Sequence, residues 1–210
     1  MSILNYWHTV LDGSGRSRAS ASENAASNDS NAIPGVAGIM LGYVIPLSLV
    51  TPIMLSIVVR QYPQLFTDLL PGDRLNIVVF ALFVLQVVAV PLMALIVKHL
   101  SEMVGVIPSF KEALLVMAVS ATPCWLVALF YLVPSFAFNI VMHAVSALLA
   151  SILVYLGVRN VFGLQRRGAR IMLTTAIVAT ASLAFGVLLV STLMFWGHVQ
   201  QLQFAVPATH

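Results

Sequence analysis

The chain has 210 residues, of which 60% are hydrophobic and only 8% are charged, and its formal net charge is +3 at neutral pH. Because a soluble globular domain carries roughly 25% charged residues, this composition excludes a water-soluble fold. Several apolar runs exceed the roughly 20 residues that cross a bilayer as a helix, so the sequence predicts an all-α, polytopic membrane protein. The basic residues are scattered at the ends of these runs, which argues against nucleic-acid binding.

Residues 1–32 form a polar N-terminal tail that lacks the basic start and small-residue cleavage site of a signal peptide. Within residues 3–11 the apolar side chains share one face of a helix, and they are Ile3, Leu4, Trp7, Val10 and Leu11. This pattern predicts an amphipathic helix that lies in the membrane interface or, alternatively, docks on loops of the protein itself. Residues 12–31 are rich in Ser, Ala, Gly and Asn, which is typical of a flexible linker.

We expect five transmembrane spans within a membrane domain of residues 33–196, followed by a C-terminal tail of residues 197–210. The spans are predicted at about 33–59, 75–97, 113–133, 136–158 and 171–196. The stretch 113–158 contains no charge and has about twice the length of one span. Pro134 and Ser135 near its centre provide a natural turn, so the stretch is divided there into the third and fourth spans.

The basic residues predict the orientation. If the N-terminal tail is cytoplasmic, eight of the ten lie on the cytoplasmic side, and only Arg60 and Arg74 lie outside. The positive-inside rule therefore favours an N-in/C-out topology, with the C-terminal tail on the outer side. The loop between the fourth and fifth spans is suited to hold anionic lipid or an acidic partner, or it acts only as a topology determinant. Its basic residues are Arg159, Arg166, Arg167 and Arg170.

Small residues in two spans indicate close helix packing. Gly38 and Gly42 form a GxxxG pattern, which lets two helix backbones approach each other. The partner is expected to be another helix of the same bundle, or alternatively a second copy of the chain. Ser182 and Gly186 in the fifth span pose the same two alternatives.

The first two spans contain prolines and a side-chain amide that are unusual within an apolar helix. Pro46 and Pro52 in the first span, and Pro91 in the second, remove backbone donors and are expected to bend their helices. Gln86 carries the only amide at depth in the second span, and an unpaired amide in lipid costs several kcal/mol. We therefore expect Gln86 to bond another helix, with a substrate contact as the alternative.

The third span combines hydroxyls, a proline and a tryptophan. Pro123 falls near the bilayer midplane and leaves the carbonyl of Val119 without its intrahelical donor. Ser120 and Thr122 are the hydroxyls at hand to compensate. Trp125 lies away from the interfacial belt where tryptophan is enriched. The pattern predicts a bend near Pro123 with Trp125 buried against another helix.

The fourth span carries a polar stripe, because Asn139, His143 and Ser146 share one helix face. An ionisable group within a span suggests a functional role by default. The alternative is a structural role, in which His143 is neutral and is oriented by Asn139. Cys124 is expected at a depth similar to that of His143, and a Cys–His pair can act as nucleophile and base.

Three considerations argue against chemistry at this pair. The predicted spans contain no Asp or Glu to orient the histidine, and a thiolate is disfavoured in apolar surroundings. Two ligands do not make a zinc site. The sequence therefore predicts that the protein is not an enzyme and uses no metal and no cofactor.

The run from Leu95 to Phe162 resembles the Yip family of Ypt/Rab-interacting membrane proteins, and most closely its bacterial inner-membrane branch. Weaker similarity lies in GYVIPLSLVTPI, residues 42–53. The matching features are the Gly105–Phe110 loop, the helix start Ala113-Leu114, Ser120-Ala121-Thr122-Pro123 followed by Trp125, and Tyr155-Leu156-Gly157 before the basic loop.

The resemblance implies a five-span fold with a cytoplasmic N-terminus. Eukaryotic relatives act in vesicle trafficking and bind Rab-type GTPases and one another. The tail here lacks the Asp-Leu-Tyr-Gly-Pro pattern of those relatives, which argues against Rab binding. Val119 stands where bacterial relatives often have Tyr, so no contact of that Tyr is carried over.

The leading functional hypothesis is a scaffold or adaptor in the bacterial inner membrane, which binds other membrane proteins or itself. The alternative is a protein that transports a small solute or a lipid along the polar side chains of Thr122, Asn139 and His143. Under both hypotheses the apolar spans are embedded in the lipid bilayer.

Overall fold

The computed structural model describes residues 7, 8, 10, 11, 35–63, 72–184 and 186, and all regular secondary structure among them is helical. The helices are α1 (Val36–Gln61), α2 (Gly72–Met103), α3 (Phe110–Leu126), α4 (Phe136–Asn160) and α5 (167–184).

Four segments of this part of the chain are long and apolar enough to cross a membrane: Val36–Gln61, Leu75–Met103, Phe110–Leu132 and Ala137–Asn160. Each of the first four predicted spans falls on one of them. The predicted fifth span begins within α5, while its second half and the C-terminal tail lie outside the described residues, as does most of the predicted linker.

The first helix is irregular at both prolines. It begins as an α-helix, widens into a π-helix at Met40–Val44, returns to an α-helix at Ile45–Ser48 and passes a turn at Leu49. A proline ring clashes with the carbonyl four residues earlier, and for Pro46 that carbonyl belongs to the π segment. The wide turn brings the adjacent residues Tyr43 and Val44 to the inside, where both are fully buried.

The other two helix-interior prolines interrupt their helices less than expected. The second helix runs through Pro91 from Gly72 to Met103 without a break. The third helix continues through Pro123 to Leu126, and only then tightens into the 3₁₀ segment Val127–Leu132. The change of helix type therefore follows Pro123 instead of preceding it.

The third helix is the centre of the bundle. All residues from Ala113 to Ser120 are buried, which fits a helix that is apolar all round. It contacts α1, α2 and α4, and α5 joins the same core through Leu173 and Ile177. Helix α4 lies close to it at Gly157, where an added Cβ would lie 2.5 Å from a methyl carbon of Val116.

Two short loops connect the helices at one end of the bundle. The loop after α2 turns at Gly105, whose φ of 77° favours glycine, and leads into a capping box in which Ser109 and Glu112 bond each other's backbone N–H. The loop after α4 turns at Gly163, with φ 64°. We call this the basic end, because it carries Lys98, Lys111, Arg159, Arg166, Arg167 and Arg170.

Candidate functional site

A buried polar contact joins the first helix to the predicted kink motif of the third. The hydroxyl of Tyr43 lies 2.7 Å from Oγ1 of Thr122. Thr122 also donates to the carbonyl of Ala118 over 3.3 Å. Since a threonine hydroxyl has one hydrogen, this arrangement leaves Tyr43 as the donor to Thr122.

The hydroxyls do not compensate Pro123 in the predicted way. Ser120 donates to the carbonyl of Val116 over 2.7 Å, and Thr122 bonds Ala118, so neither hydroxyl bonds the carbonyl of Val119. The physical reason is that a Ser or Thr hydroxyl in a helix reaches the carbonyl four residues before itself. Trp125 is buried, at 4% exposure, in agreement with the expectation that it packs inside the bundle.

The contact between Tyr43 and Thr122 is testable by a double-mutant cycle on Tyr43→Phe and Thr122→Val. We expect a coupling energy of about 1 kcal/mol, within the range measured for hydrogen bonds between transmembrane helices. The measurement is the free energy of unfolding in mixed micelles. Ser120→Ala is the matched control, because Ser120 bonds only its own helix and should show no coupling to Tyr43→Phe. Additive effects of Tyr43→Phe and Thr122→Val would contradict the contact.

His143 belongs to a local network at the other end of the bundle from the basic loops. Its Nδ1 lies 2.8 Å from the backbone carbonyl of Asn139, so Nδ1 carries the hydrogen and Nε2 accepts from the Tyr131 hydroxyl over 3.1 Å. The two rings also stack, with centroids 5.6 Å apart. The amide of Asn139 donates to the carbonyls of Val133 and Ser135, each at 3.0 Å. Asn139 thus orients the histidine through its backbone, while its side chain closes the turn before α4.

The structure does not bring the candidate catalytic or transport residues together in one site. Cys124 is exposed, and both ring nitrogens of His143 are engaged by Tyr131 and Asn139. Thr122 is buried against Tyr43, so it takes no part in the network that joins Asn139 and His143. Among the described residues, no three His, Cys, Asp or Glu side chains are grouped to hold a metal ion.

Several predicted packing contacts are absent from the described part of the chain. Oε1 of Gln86 and Oγ of Ser146 are buried without a hydrogen-bond partner there, so the expected interhelical bond of Gln86 is not found. Gly38 and Gly42 lie on an exposed face of α1. Their expected packing against another helix of the bundle, or against a second copy of the chain, therefore stays a prediction. Ser182 is exposed as well, and a Cβ at Gly186 would meet nothing within 4 Å.

The predicted basic loop divides into a structural and an accessible part. The guanidinium of Arg170 lies 4.4 Å from the ring centroid of Tyr155, a cation–π contact that fixes the start of α5 against α4. Arg159, Arg166 and Arg167 are exposed. Of the four arginines of this loop, these three are therefore placed to meet a headgroup or an acidic partner.

The described tail residues dock on the same end of the bundle. Val10 is fully buried, and Trp7 packs against the core. The side-chain amide of Asn160 donates to the carbonyl of Val10 over 2.8 Å and also to that of Leu11. This packing corresponds to the second of the two interpretations of the tail, in which the segment docks on the protein itself.

Sequence reasoning missed an apolar pair at the end of α2 and on the loop that follows it. Met103 is 84% exposed and Ile107 is 82% exposed. Charged or ionisable residues flank the pair along the chain, and they are Lys98, His99, Glu102, Lys111 and Glu112. The available signal was position, because both residues follow Lys98 and His99 and so lie beyond the apolar run of the second span.

A family model described as the Yip1 domain matches residues 23–196. The match covers most of the chain and includes the SATP motif, α1 to α4 and the loops of the basic end. The chain belongs to the Yip family. It is thereby an integral membrane protein, and the Yip domain is not a known enzyme family. Neither a curated protein nor a solved structure matches the chain.

The features that carried the resemblance to the Yip family have definite places in the fold. Gly105 turns the loop after α2, and Tyr155 lies beneath Arg170. Gly157 admits the close approach of α3, while Thr122 and Trp125 are buried between helices. In this chain the Yip motifs therefore position helices and loops, and the accessible groups at the basic end are the candidates for binding.

Proposed function

We propose that this Yip-family membrane protein is a non-enzymatic scaffold or adaptor whose basic end binds other membrane proteins. The observation that carries the proposal is the exposed pair Met103 and Ile107, at 84% and 82% exposure. Lipid readily explains exposed apolar side chains within a span. It explains them less well at the end of α2 and on the following loop, where charged residues flank the pair.

The surroundings of the pair suit a protein partner. Exposed apolar groups rimmed by polar residues are typical of interaction sites. Lys111 follows the pair on α3, and the exposed Arg166 and Arg167 lie on the neighbouring loop of the same end. A partner segment with apolar anchors and acidic flanks would complement this surface, because positive and negative potentials then face each other.

The topology is part of the proposal. Six of the ten basic residues lie at the basic end, and the positive-inside rule favours that end in the cytoplasm. The docked tail is then cytoplasmic too, which gives N-in/C-out if the fifth span crosses. The resemblance to the bacterial branch supports the inner membrane as the location. Rab-type GTPases are not the proposed partners, because the tail lacks the pattern of the eukaryotic relatives.

The experiment is native purification of the full chain in mild detergents, followed by mass spectrometry of co-purifying proteins. We expect Met103→Ser and Ile107→Ser each to reduce recovery of the partners at least fivefold, since a central apolar anchor contributes more than about 1 kcal/mol to an interface. Unchanged partners in both variants, or recovery of the protein alone in every mild detergent, would contradict the proposal.

Leu148→Ser is the matched control. Leu148 is 62% exposed but lies in the middle of α4, within the apolar span. The same chemical change there should leave the partners bound. Equal loss in the control and in the loop variants would show that general destabilisation, not the loop, is responsible.

A further inference from the structure

An elongated groove lies between α1 and α2 at the end of the bundle opposite to the basic end. Its volume is about 450 Å³, within the roughly 300–1,000 Å³ of ligand clefts. Ile53 and Ile57 of α1 face Phe80 and Phe83 of α2 across it. All four side chains are at least partly exposed, so the protein leaves this apolar groove open to the membrane.

The groove is apolar at one end and polar at the other. Arg60 and Asn76 line it together with the apolar side chains. Arg60 follows Ile53 by seven residues on α1, and Asn76 precedes Phe83 by seven on α2, so each polar group lies about 10 Å along its helix from the far end of the apolar lining. Both are near the helix ends, where a span meets the headgroup region. This is the layout of an acyl chain beneath a lipid headgroup.

The polar end favours a negative charge. Arg60 is exposed, and the structure shows no ion pair for it among the described residues. A guanidinium binds phosphate through parallel N–H donors, and Asn76 adds an amide. Among the described residues that line the groove, none carries a carboxylate that would match the ammonium of a zwitterionic headgroup.

The groove is lined by side chains of two adjacent helices, and a single extended acyl chain is much thinner than a helix, which with its side chains is roughly 10 Å across. The cation and the amide at one end of the groove favour a lipid as the occupant.

We propose that this groove binds an anionic phospholipid, with its phosphate at Arg60 and one acyl chain between α1 and α2. The site is separate from the proposed partner surface at the basic end, so either proposal can fail without the other.

The test is site-resolved photolabelling of the full chain in nanodiscs. Two lipids with a photoreactive acyl chain are compared, phosphatidylglycerol and phosphatidylcholine, and adducts are mapped to the peptides of α1 and α2. We expect phosphatidylglycerol to label the groove about fivefold more, the preference that one cation at a membrane surface provides. Equal labelling by the two lipids would overturn the proposal. So would labelling no denser than at Leu148 and Leu149, which are exposed apolar residues of α4.

Two variants assign the roles within the groove. Arg60→Gln should abolish the preference for phosphatidylglycerol, whereas Arg167→Gln, an exposed cation at the basic end, should leave groove labelling unchanged. Ile57→Trp fills the groove at a partly exposed position and should lower labelling by both lipids. Persistence of the preference in Arg60→Gln, or its equal loss in Arg167→Gln, would show that Arg60 does not hold the phosphate.

Discussion

Replacement of Trp125 by alanine is expected to lower the free energy of unfolding by about 2–3 kcal/mol. Trp125 is 4% exposed and belongs to the core cluster around α3. In soluble cores such a truncation costs roughly 3–5 kcal/mol, from lost transfer out of water plus the cavity left behind. Within a membrane the separated helices remain in lipid, so the transfer part is small and the loss of packing contacts dominates.

The measurement is a titration with denaturing detergent in mixed micelles, followed by helical circular dichroism because the substitution removes a fluorophore. Leu126→Ala is the matched control, since the neighbouring Leu126 is 41% exposed and loses fewer contacts. We expect the control to cost less than about 1 kcal/mol. Equal effects of the two substitutions would contradict the burial of Trp125 in the bundle.

The helices of the membrane domain were predictable because the long apolar runs of the sequence determine where they form. Long apolar runs cross a bilayer only as helices, since each backbone polar group must be bonded internally. The helix ends were less predictable. The second span was placed up to residue 97, but the helix continues to Met103, because backbone bonding persists after the apolar run has ended. A fall in hydropathy along the sequence therefore indicates where a helix leaves the membrane, but not where the helix itself ends.

The arrangement of the helices was not predictable in the same way. Tyr43 and Thr122 are separated by 79 residues, and a pattern of spans does not tell which helix faces which. The π-helix adds a second difficulty. One extra residue in a turn rotates the following helix by about 100°, so a face deduced from a regular 3.6-residue period is wrong beyond Met40. Within the π segment the buried positions are therefore the adjacent residues Tyr43 and Val44.

The candidate binding surface was missed for a different reason. The predictions concentrated on polar residues within spans, where burial makes each of them costly. Met103 and Ile107 are ordinary apolar residues, and only their exposure beyond the predicted second span distinguishes them. Met103 precedes the turn at Gly105, and Ile107 lies between that turn and the capping box at Ser109.

Replacement of Gly157 by alanine is expected to destabilise the bundle by about 1–3 kcal/mol, although alanine is the better helix former by roughly 1 kcal/mol. The added Cβ would lie 2.5 Å and 3.0 Å from the two methyl carbons of Val116. Val116 is fully buried, so its methyl groups cannot move aside into free space. Either the side chain leaves its preferred rotamer or α3 and α4 separate, and both responses cost packing energy.

The sign of the change in the free energy of unfolding tells whether the steric clash with Val116 or the higher helix propensity of alanine dominates at position 157. Gly168→Ala is the control, because Gly168 is helical and a Cβ there would meet nothing within 4 Å; it should be neutral or slightly stabilising. Val116→Ala removes the obstructing methyl groups, so the double variant with Gly157→Ala should be more stable than the sum of the two single effects predicts. If Gly157→Ala behaves like Gly168→Ala, or if Val116→Ala gives no rescue, the close approach of α3 and α4 at Gly157 is refuted. If the rescue occurs, the Tyr155-Leu156-Gly157 motif keeps α4 close to the central helix, and with it the position of Tyr155 beneath Arg170 at the basic end.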